Sequence, residues 1–422
     1  MKTNYRNLCR ALIASAVIGC LISGCDMLSD HIWTEYIWKV EKSYYDPNTL
    51  NTGLPVIEIE TSGGQTIKSR ENYIDAVVSI RGGHDPDHEL QETPVTIRGR
   101  GNNTWWYPKK PYRLKFPKKQ ELFGYEKAKS WVLLANHQDP TLIMNTVTFK
   151  LGEKMEFPYT NHAVHVELIL NGVYEGSYVL TEQVQVGKGR VNIDEDDGFL
   201  VELDSYYDEE PKFTSAASRL PVMIKSPEDL DDPAGYDFVK ESVNELDRLL
   251  FAGDFPDNGY RDLIDMDTFV KFLIINEVVG NPELSYPKSA YMYKDKGKKI
   301  CLGPLWDFDG AFDYSGGGEN IYFKESRYHI SMHPFFKRFF DDPVFVKRYK
   351  EVWNENYNEI RSVEQFIDEK AAQLEKSQGA NFTVWQWLNK PDYSTEISRM
   401  KAWWNARVAY LNTEINRMDS GL

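Results

Sequence analysis

The chain has 422 residues, 41% of them hydrophobic, and carries 49 Lys and Arg against 64 Asp and Glu, for a formal charge of −15. That length predicts two or three domains, or one with large insertions, and 25 Tyr, 21 Phe and 11 Trp argue against a disordered chain. The acidic balance excludes nucleic acid as a general partner, because neutralising phosphates requires a cationic face.

Residues 1–24 read as a targeting signal peptide. Lys2, Arg6 and Arg10 precede the apolar run ALIASAVIGCLISGC, which is too short for a stable membrane span. Ile22-Ser23-Gly24-Cys25 has the form of a bacterial lipobox, with small residues before a cysteine that is acylated and becomes the new N-terminus; Val17-Ile18-Gly19-Cys20 is a weaker competitor. Lipidation at Cys25 predicts a cell-envelope lipoprotein, anchored to the outer membrane and facing the periplasm or the surface. Cys301 is then the one remaining thiol, which leaves no intrachain disulfide and no cysteine metal site.

Residues 25–50 form a tether. From Leu54 the pattern turns to strands: VIEIE, AVVSI, VTIRG, YRLKF, AVHVELIL and GSYVL alternate and are rich in β-branched residues. LILNGVYEGSYVL is a hairpin with Asn171-Gly172 as its turn. One helix interrupts this half, entered through Asp139-Pro140-Thr141 and carried by LIMNTVTFKLGEKM. After about residue 230, apolar residues recur at helical spacing in DFVKESVNELDRLLFA, MDTFVKFLIINEVVG, PVFVKRYKEVWNENYNEI, SVEQFIDEKAAQLEKSQ and STEISRMKAWWNARVAYLNTEINRM. A late hairpin, SAYMYKDKGKKICLGPLWDFD, lies among them. The division is a β-rich segment, 51–229, and a mainly helical one, 230–422, which makes the class α+β.

Three stretches carry chemistry. Arg98-Gly99-Arg100-Gly101-Asn102 turns tightly between two strands, in the densest cationic stretch of an acidic chain, and reads either as an exposed basic hairpin or as a phosphate cradle. Glu182 and Gln183 end an apolar strand, where they either contact a ligand or cap a turn; Glu202 and Asp204, at another strand end, read as ion-pair partners for the basic strand. The strongest is 272–313, where a helix ends at Gly280, a loop carries Asn281, Glu283, Lys288 and Ser289, and the late hairpin leads to Asp307 and Asp309. Two residues apart in a strand, those aspartates share a face, and like charges that close require a cation or a proton between them. Trp306, Phe308 and Phe312 imply burial, and buried acids need partners.

Taken together, RGRGNNTW with KKPYRLKF, WVLLANHQDPTLIMN, VELILNGVYEGSYVLTEQV, GFLVELD, NEVVGN and GPLWDFDGAF resemble the spore coat protein H (CotH) kinase-like family, in its Bacteroides-type lipoprotein branch, over roughly residues 55–320. The resemblance implies an atypical protein-kinase-like, two-lobed fold that binds ATP with Mg (or Mn) and phosphorylates protein Ser/Thr. It gives Lys115 the role of the phosphate-contacting strand lysine, and puts Arg98, Arg100 and Asn102 at the glycine-rich loop. Glu182 and Gln183 fall beside the adenine, and Asp307 at the metal with Asp309 and Ser289. Glu283 stands where the family has a catalytic aspartate, and Ser289 near the place of an asparagine ligand; Met144 replaces an arginine before Asn145. Two other readings stand beside this one. A catalytically weak or inactive kinase-like binding lipoprotein in a glycan-handling system would use Trp105-Trp106 or Trp403-Trp404 as stacking platforms, and a hydrolase would pair Glu283 with Asp307 or Asp309.

Overall fold

The computed structural model describes residues 41–82, 88–227, 233–313, 323, 329–386 and 392–419, so the lipobox with Cys25 lies outside the described residues. It opens on a two-residue strand, β1 (Glu41–Lys42). Seven strands then close into a barrel: β2 (Val56–Thr61), β3 (Ile74–Arg81), β4 (Leu90–Gly99), β5 (Tyr112–Gln120), β6 (Ala128–Leu134), β7 (Val164–Leu170) and β8 (Val173–Glu182). Their spatial order is β2-β3-β4-β5-β6-β8-β7. β2 and β7 meet in parallel to close the ring, while β7 and β8 form the expected hairpin. Its turn residues Asn171 and Gly172 both have positive φ, 50° and 71°, which matches the twist of the two strands.

Period-two alternation explains the barrel. Ile57, Val78, Ile97, Leu114, Leu133, Leu168 and Leu180, one from each strand, meet in one interior core. The neighbours that face outward divide by chemistry. Val132, Leu134 and Val179 join a larger core outside the barrel, whereas Arg113 and Lys115 on β5 remain at the surface or half-buried.

That larger core joins the helices to a second sheet. Two helices rise from the first half, α1 (Asn103–Trp106) and α2 (Met144–Lys154). The sheet holds β9 (Phe199–Leu203), β10 (Lys212–Thr214), β11 (Pro221–Ser226), β12 (Ala290–Lys294) and β13 (Ile300–Leu302), in the order β10-β11-β9-β12-β13. The late hairpin β12–β13 thus pairs with β9, so this sheet draws on both sides of residue 229. Between its strands in sequence run α3 (Pro233–Leu250), α4 (Tyr260–Leu263) and α5 (Met266–Val278). α5 is buried on nearly every face, as a helix apolar all round must be.

After α6 (Pro334–Lys337), the two helices expected from PVFVKRYKEVWNENYNEI and SVEQFIDEKAAQLEKSQ are one, α7 (Pro343–Val384), 42 residues long. Only Arg361 separates the two stretches, and it is a good helix former, so nothing stops the first helix. The last elements are β14 (Trp385–Gln386), which pairs with β1, and α8 (Tyr393–Arg417). The class is α+β, as expected. Among the described residues, no helix is long and apolar enough to cross a membrane.

Both ends of α7 are fixed by buried polar groups. At its start Asp342, with no solvent exposure, accepts from Val344 N (2.9 Å), from Arg261 Nε and Nη2 (2.7 and 2.6 Å) and from the Tyr260 hydroxyl. Burial works to raise its carboxyl, but the Arg261 and Tyr260 hydrogen bonds hold it below the usual carboxylate range. At its end Asn381 accepts from the buried Lys109 Nζ at 2.8 Å and from Ser177 N of β8 at 3.1 Å, and Trp385 Nε1 donates to Glu175 O at 2.8 Å.

Replacing Asp342 with Ala leaves the Arg261 charge and the Tyr260 hydroxyl without their acceptor. Urea unfolding is expected to show a loss of about 3 kcal/mol or more. The depressed carboxyl makes this contribution complete above about pH 4, and it fades as pH falls through the folded value. A loss under about 1 kcal/mol at pH 7 would show that the cap carries little.

Candidate functional site

A cavity of about 530 Å³ opens where the β4–β5 connection of the barrel faces the second sheet and the loops after α5 and β13. Of the residues singled out from sequence, Arg100, Asn102, Gln183, Glu283, Ser289, Asp307 and Asp309 all line it.

The basic wall is built by the turn after β4. Gly101 has φ +84°, and a Cβ there would lie 2.0 Å from Thr104 Oγ1, so only glycine permits the turn. Arg70 fastens it from outside, donating through Nη1 to Gly101 O and to Asn102 Oδ1, both at 2.8 Å. The Arg100 guanidinium then reaches across to the opposite wall, 5.2 Å from the Trp306 ring centroid. This contact brings the basic turn against the residue that precedes Asp307.

The acidic wall has two segments. In the first, α5 ends before Gly280, and Asn281 Oδ1 accepts from Glu283 N at 3.1 Å, capping the short turn that presents Glu283. Burial, followed by the Asp307 charge, pushes the Glu283 carboxyl up to about 8, against the pull of Lys288 Nζ at 3.9 Å. The second segment corrects the strand-face expectation. β13 ends at Leu302, and Asp307 lies beyond it in a loop, with φ 64°. Its neighbour Phe308 donates its N–H to Asn145 Oδ1 at 2.8 Å, so α2 anchors the loop. Asp307 and Asp309 therefore converge through a left-handed turn rather than through strand alternation. Burial, with Asp307 and Glu283 close by, drives the Asp309 carboxyl well above its ordinary range.

Between the two segments, Ser289 links the acids. Its hydroxyl donates to Asp307 Oδ2 at 3.2 Å and its N–H to Asp204 Oδ2 at 3.1 Å. Asp204 is pushed up to about 7 by burial and by Glu202. Glu202 and Asp204 are thus not partners of the basic strand. Glu202 accepts from Tyr291 Oη at 2.8 Å and pairs with Lys225 Nζ at 3.1 Å, and both acids line the cavity. Lys225 and Tyr206 were not legible as site residues, because each stands alone in the sequence without a motif.

Arg98, Lys115 and Glu182 lie outside the lining. Tyr112, Leu114 and Phe116 fill the barrel interior, which forces Lys115 to the exposed outer face; its Nζ is 5.8 Å from the Tyr73 ring centroid, beside Arg98 at 5.1 Å. The cations among the described lining residues are Arg100, Lys225 and Lys288. Arg98 stands directly opposite Arg113 across β4 and β5, a like-charge pairing that an anion would relieve. Glu182 is taken up by His162, whose backbone N lies 2.9 Å from Oε2 and whose Nδ1 lies 2.6 Å from Oε1. Of the tryptophan pairs, Trp403 and Trp404 are core residues and Trp105 is buried, which leaves Trp106, half exposed at the cavity edge, as the one open ring of the four.

Among the described residues, no group of three or more His, Cys, Asp or Glu side chains is arranged to hold a metal. The donors at the acidic tip are the Asp307 and Asp309 carboxylates and the Ser289 hydroxyl. These are hard oxygens, and Mg²⁺ takes one or two carboxylates and fills its remaining positions with water and phosphate, so the donor set fits that ion.

In comparisons with known proteins, residues 97–411 match the family model described as CotH kinase protein. No curated protein matches the chain.

The Glu182 hydrogen bond holds the His162 ring above the usual histidine range. That pair stabilises the fold fully below about pH 6.5 and loses its effect as pH rises through the His162 value. An NMR titration of the His162 ring is expected to show the raised midpoint, and Glu182→Gln to lower it. An unchanged midpoint would free Glu182 for another role.

Proposed function

The chain belongs to the CotH kinase family, and from that membership we propose an envelope-anchored phosphotransferase that moves a phosphoryl group from Mg-ATP or Mn-ATP to protein Ser/Thr hydroxyls. The observation that carries this reading is the shared cavity, in which Arg100 lies over Trp306 while Glu283, Asp307 and Asp309 crowd the facing wall. A two-lobed arrangement follows if the barrel is one lobe and the helices with the second sheet are the other.

In this reading Asp307, with Asp309 and Ser289, holds the metal. A bound Mg²⁺ would supply charge neutralisation at the transferred phosphate. Arg100 and the Gly101–Asn103 turn line the side of the cavity proposed for the phosphates, and Lys288 adds positive charge from the Glu283 side. Gln183 borders the base. Glu283 takes the proton of the acceptor hydroxyl, and its raised proton affinity suits that work near neutral pH. The lipobox at Cys25 supports a lipoprotein of the Bacteroides type on the outer membrane.

One observation favours a second reading, a binding protein without turnover. Glu283 carries its carboxylate one methylene further than an aspartate would, and a small displacement at a reacting atom costs orders of magnitude in rate.

The test is incubation of the full chain with labelled ATP and Mg²⁺ or Mn²⁺, scored for transfer to itself or to an added protein. Asp307→Ala is expected to reduce transfer at least about 100-fold, as loss of a metal-holding group should. Lys115→Ala, which sits on the barrel's outer face, is expected to retain transfer within about threefold. A nucleotide-dependent rise in melting temperature without transfer supports the second reading. Neither a rise nor transfer overturns both.

A further inference from the structure

We propose that the C-terminal helix α8 sets the spacing of the two acid-bearing segments through two positioning residues one turn apart, Trp403 and Arg407. The inference rests on reading Glu283, Asp307 and Asp309 as the working groups, and neither residue touches the cavity.

Each residue holds one segment. Arg407, 1% exposed, donates through Nε and Nη2 to Glu277 O at 3.1 and 2.7 Å, and through Nη2 to Glu277 Oε1 at 2.7 Å. It thereby places a cation on the carbonyl end of α5, where the helix dipole favours one, six residues before Glu283. Trp403 donates through Nε1 to Asp313 Oδ2 at 2.6 Å, four residues beyond Asp309. The segments also meet directly. Phe312 N donates to Val279 O at 2.7 Å, and Gly280, with φ +62°, packs so closely that a Cβ would stand 3.3 Å from both Asp313 Oδ1 and Trp403 Cζ2.

The second segment needs such support. Asp307, Phe312 and Asp313 have φ of 64°, 60° and 63°, a left-handed conformation that aspartate tolerates but that a bulky residue such as Phe312 keeps only where the surroundings dictate it. Helix α8 supplies that dictate for the far end of the turn, and Asn145 supplies it for the near end. Trp403 and Arg407 lie on the same face of α8, one turn apart, so the distance between Glu283 and the aspartates is referred to a single rigid element.

The experiment uses Trp403→Phe, which keeps a buried ring but has no N–H to donate, and Asp313→Asn, which keeps an acceptor oxygen for Trp403. Hydrogen exchange of the full chain without ligand is the first readout. Trp403→Phe is expected to speed exchange at Glu283 and Phe312, whose amide bonds lie in the two segments, and to leave barrel amides unchanged. The second readout is phosphotransfer, with kcat expected to fall about tenfold or more while the nucleotide KM stays within about twofold. Asp313→Asn is expected to stay near wild type in both. Unchanged exchange in Trp403→Phe overturns the proposal, and so does faster exchange spread through the barrel, which marks a core residue and no more. If the wild-type chain transfers no phosphate, the functional reading fails while the exchange result still decides the brace.

Discussion

Glu283, Asp307 and Asp309 occupy one half-buried wall, and their crowding is the constraint around which the site is built. Left to themselves, crowded carboxylates would move apart or take up protons, and the proton affinities of Glu283 and Asp309 are raised by burial first and by their acidic neighbours second. The surrounding contacts all resist separation. Asn145 holds the Phe308 amide, Asn281 caps the turn under Glu283, and Ser289 bridges the Asp307 and Asp204 carboxyl groups. Such crowding costs stability unless a positive ligand relieves it, so the arrangement is better suited to binding than to folding.

The barrel contributes the opposing charge without being disturbed by it. Its core comes mainly from the seven strands, and Trp105 of α1 plugs it from the β4–β5 connection, which leaves the preceding Arg100–Asn102 turn at the cavity. The second sheet works differently. By taking β12 and β13 beside β9, it brings Glu202 and Asp204 from one half of the chain next to Ser289 from the other. Sites assembled from several elements in this way gain precision from the cores behind them.

Local patterns in the sequence carried most of the fold. Alternation marked the barrel strands, Asn171-Gly172 marked its hairpin, and helical spacing marked α5 and α8. What local patterns miss is how an end is made. Nothing in WDFDG distinguishes a strand end from a left-handed turn, because aspartate tolerates both. The side on which Lys115 falls depends on which face of β5 closes the barrel, a choice made by the other six strands. Lys225 and Tyr206 reach the cavity only through sheet pairing, so no window of sequence contains their signal. The motif residues Arg100, Asn102, Glu283, Ser289, Asp307 and Asp309 were legible because each sits in a turn rich in glycine, proline or asparagine, where side chains gather for reasons other than packing.

Helix α7 has a mechanical consequence. Its 42 residues extend ~60 Å at the usual rise. One end is bolted to α4 through Arg261 and Asp342, and the other to the barrel wall through Lys109, Ser177 and Asn381. A strut fixed at both ends resists the hinge rotation by which two-bodied enzymes commonly open and shut. On the proposed function, entry and exit of a nucleotide would fall to the mouth itself, where Tyr206, Trp106 and the loop carrying Tyr286 are exposed and outside that restraint.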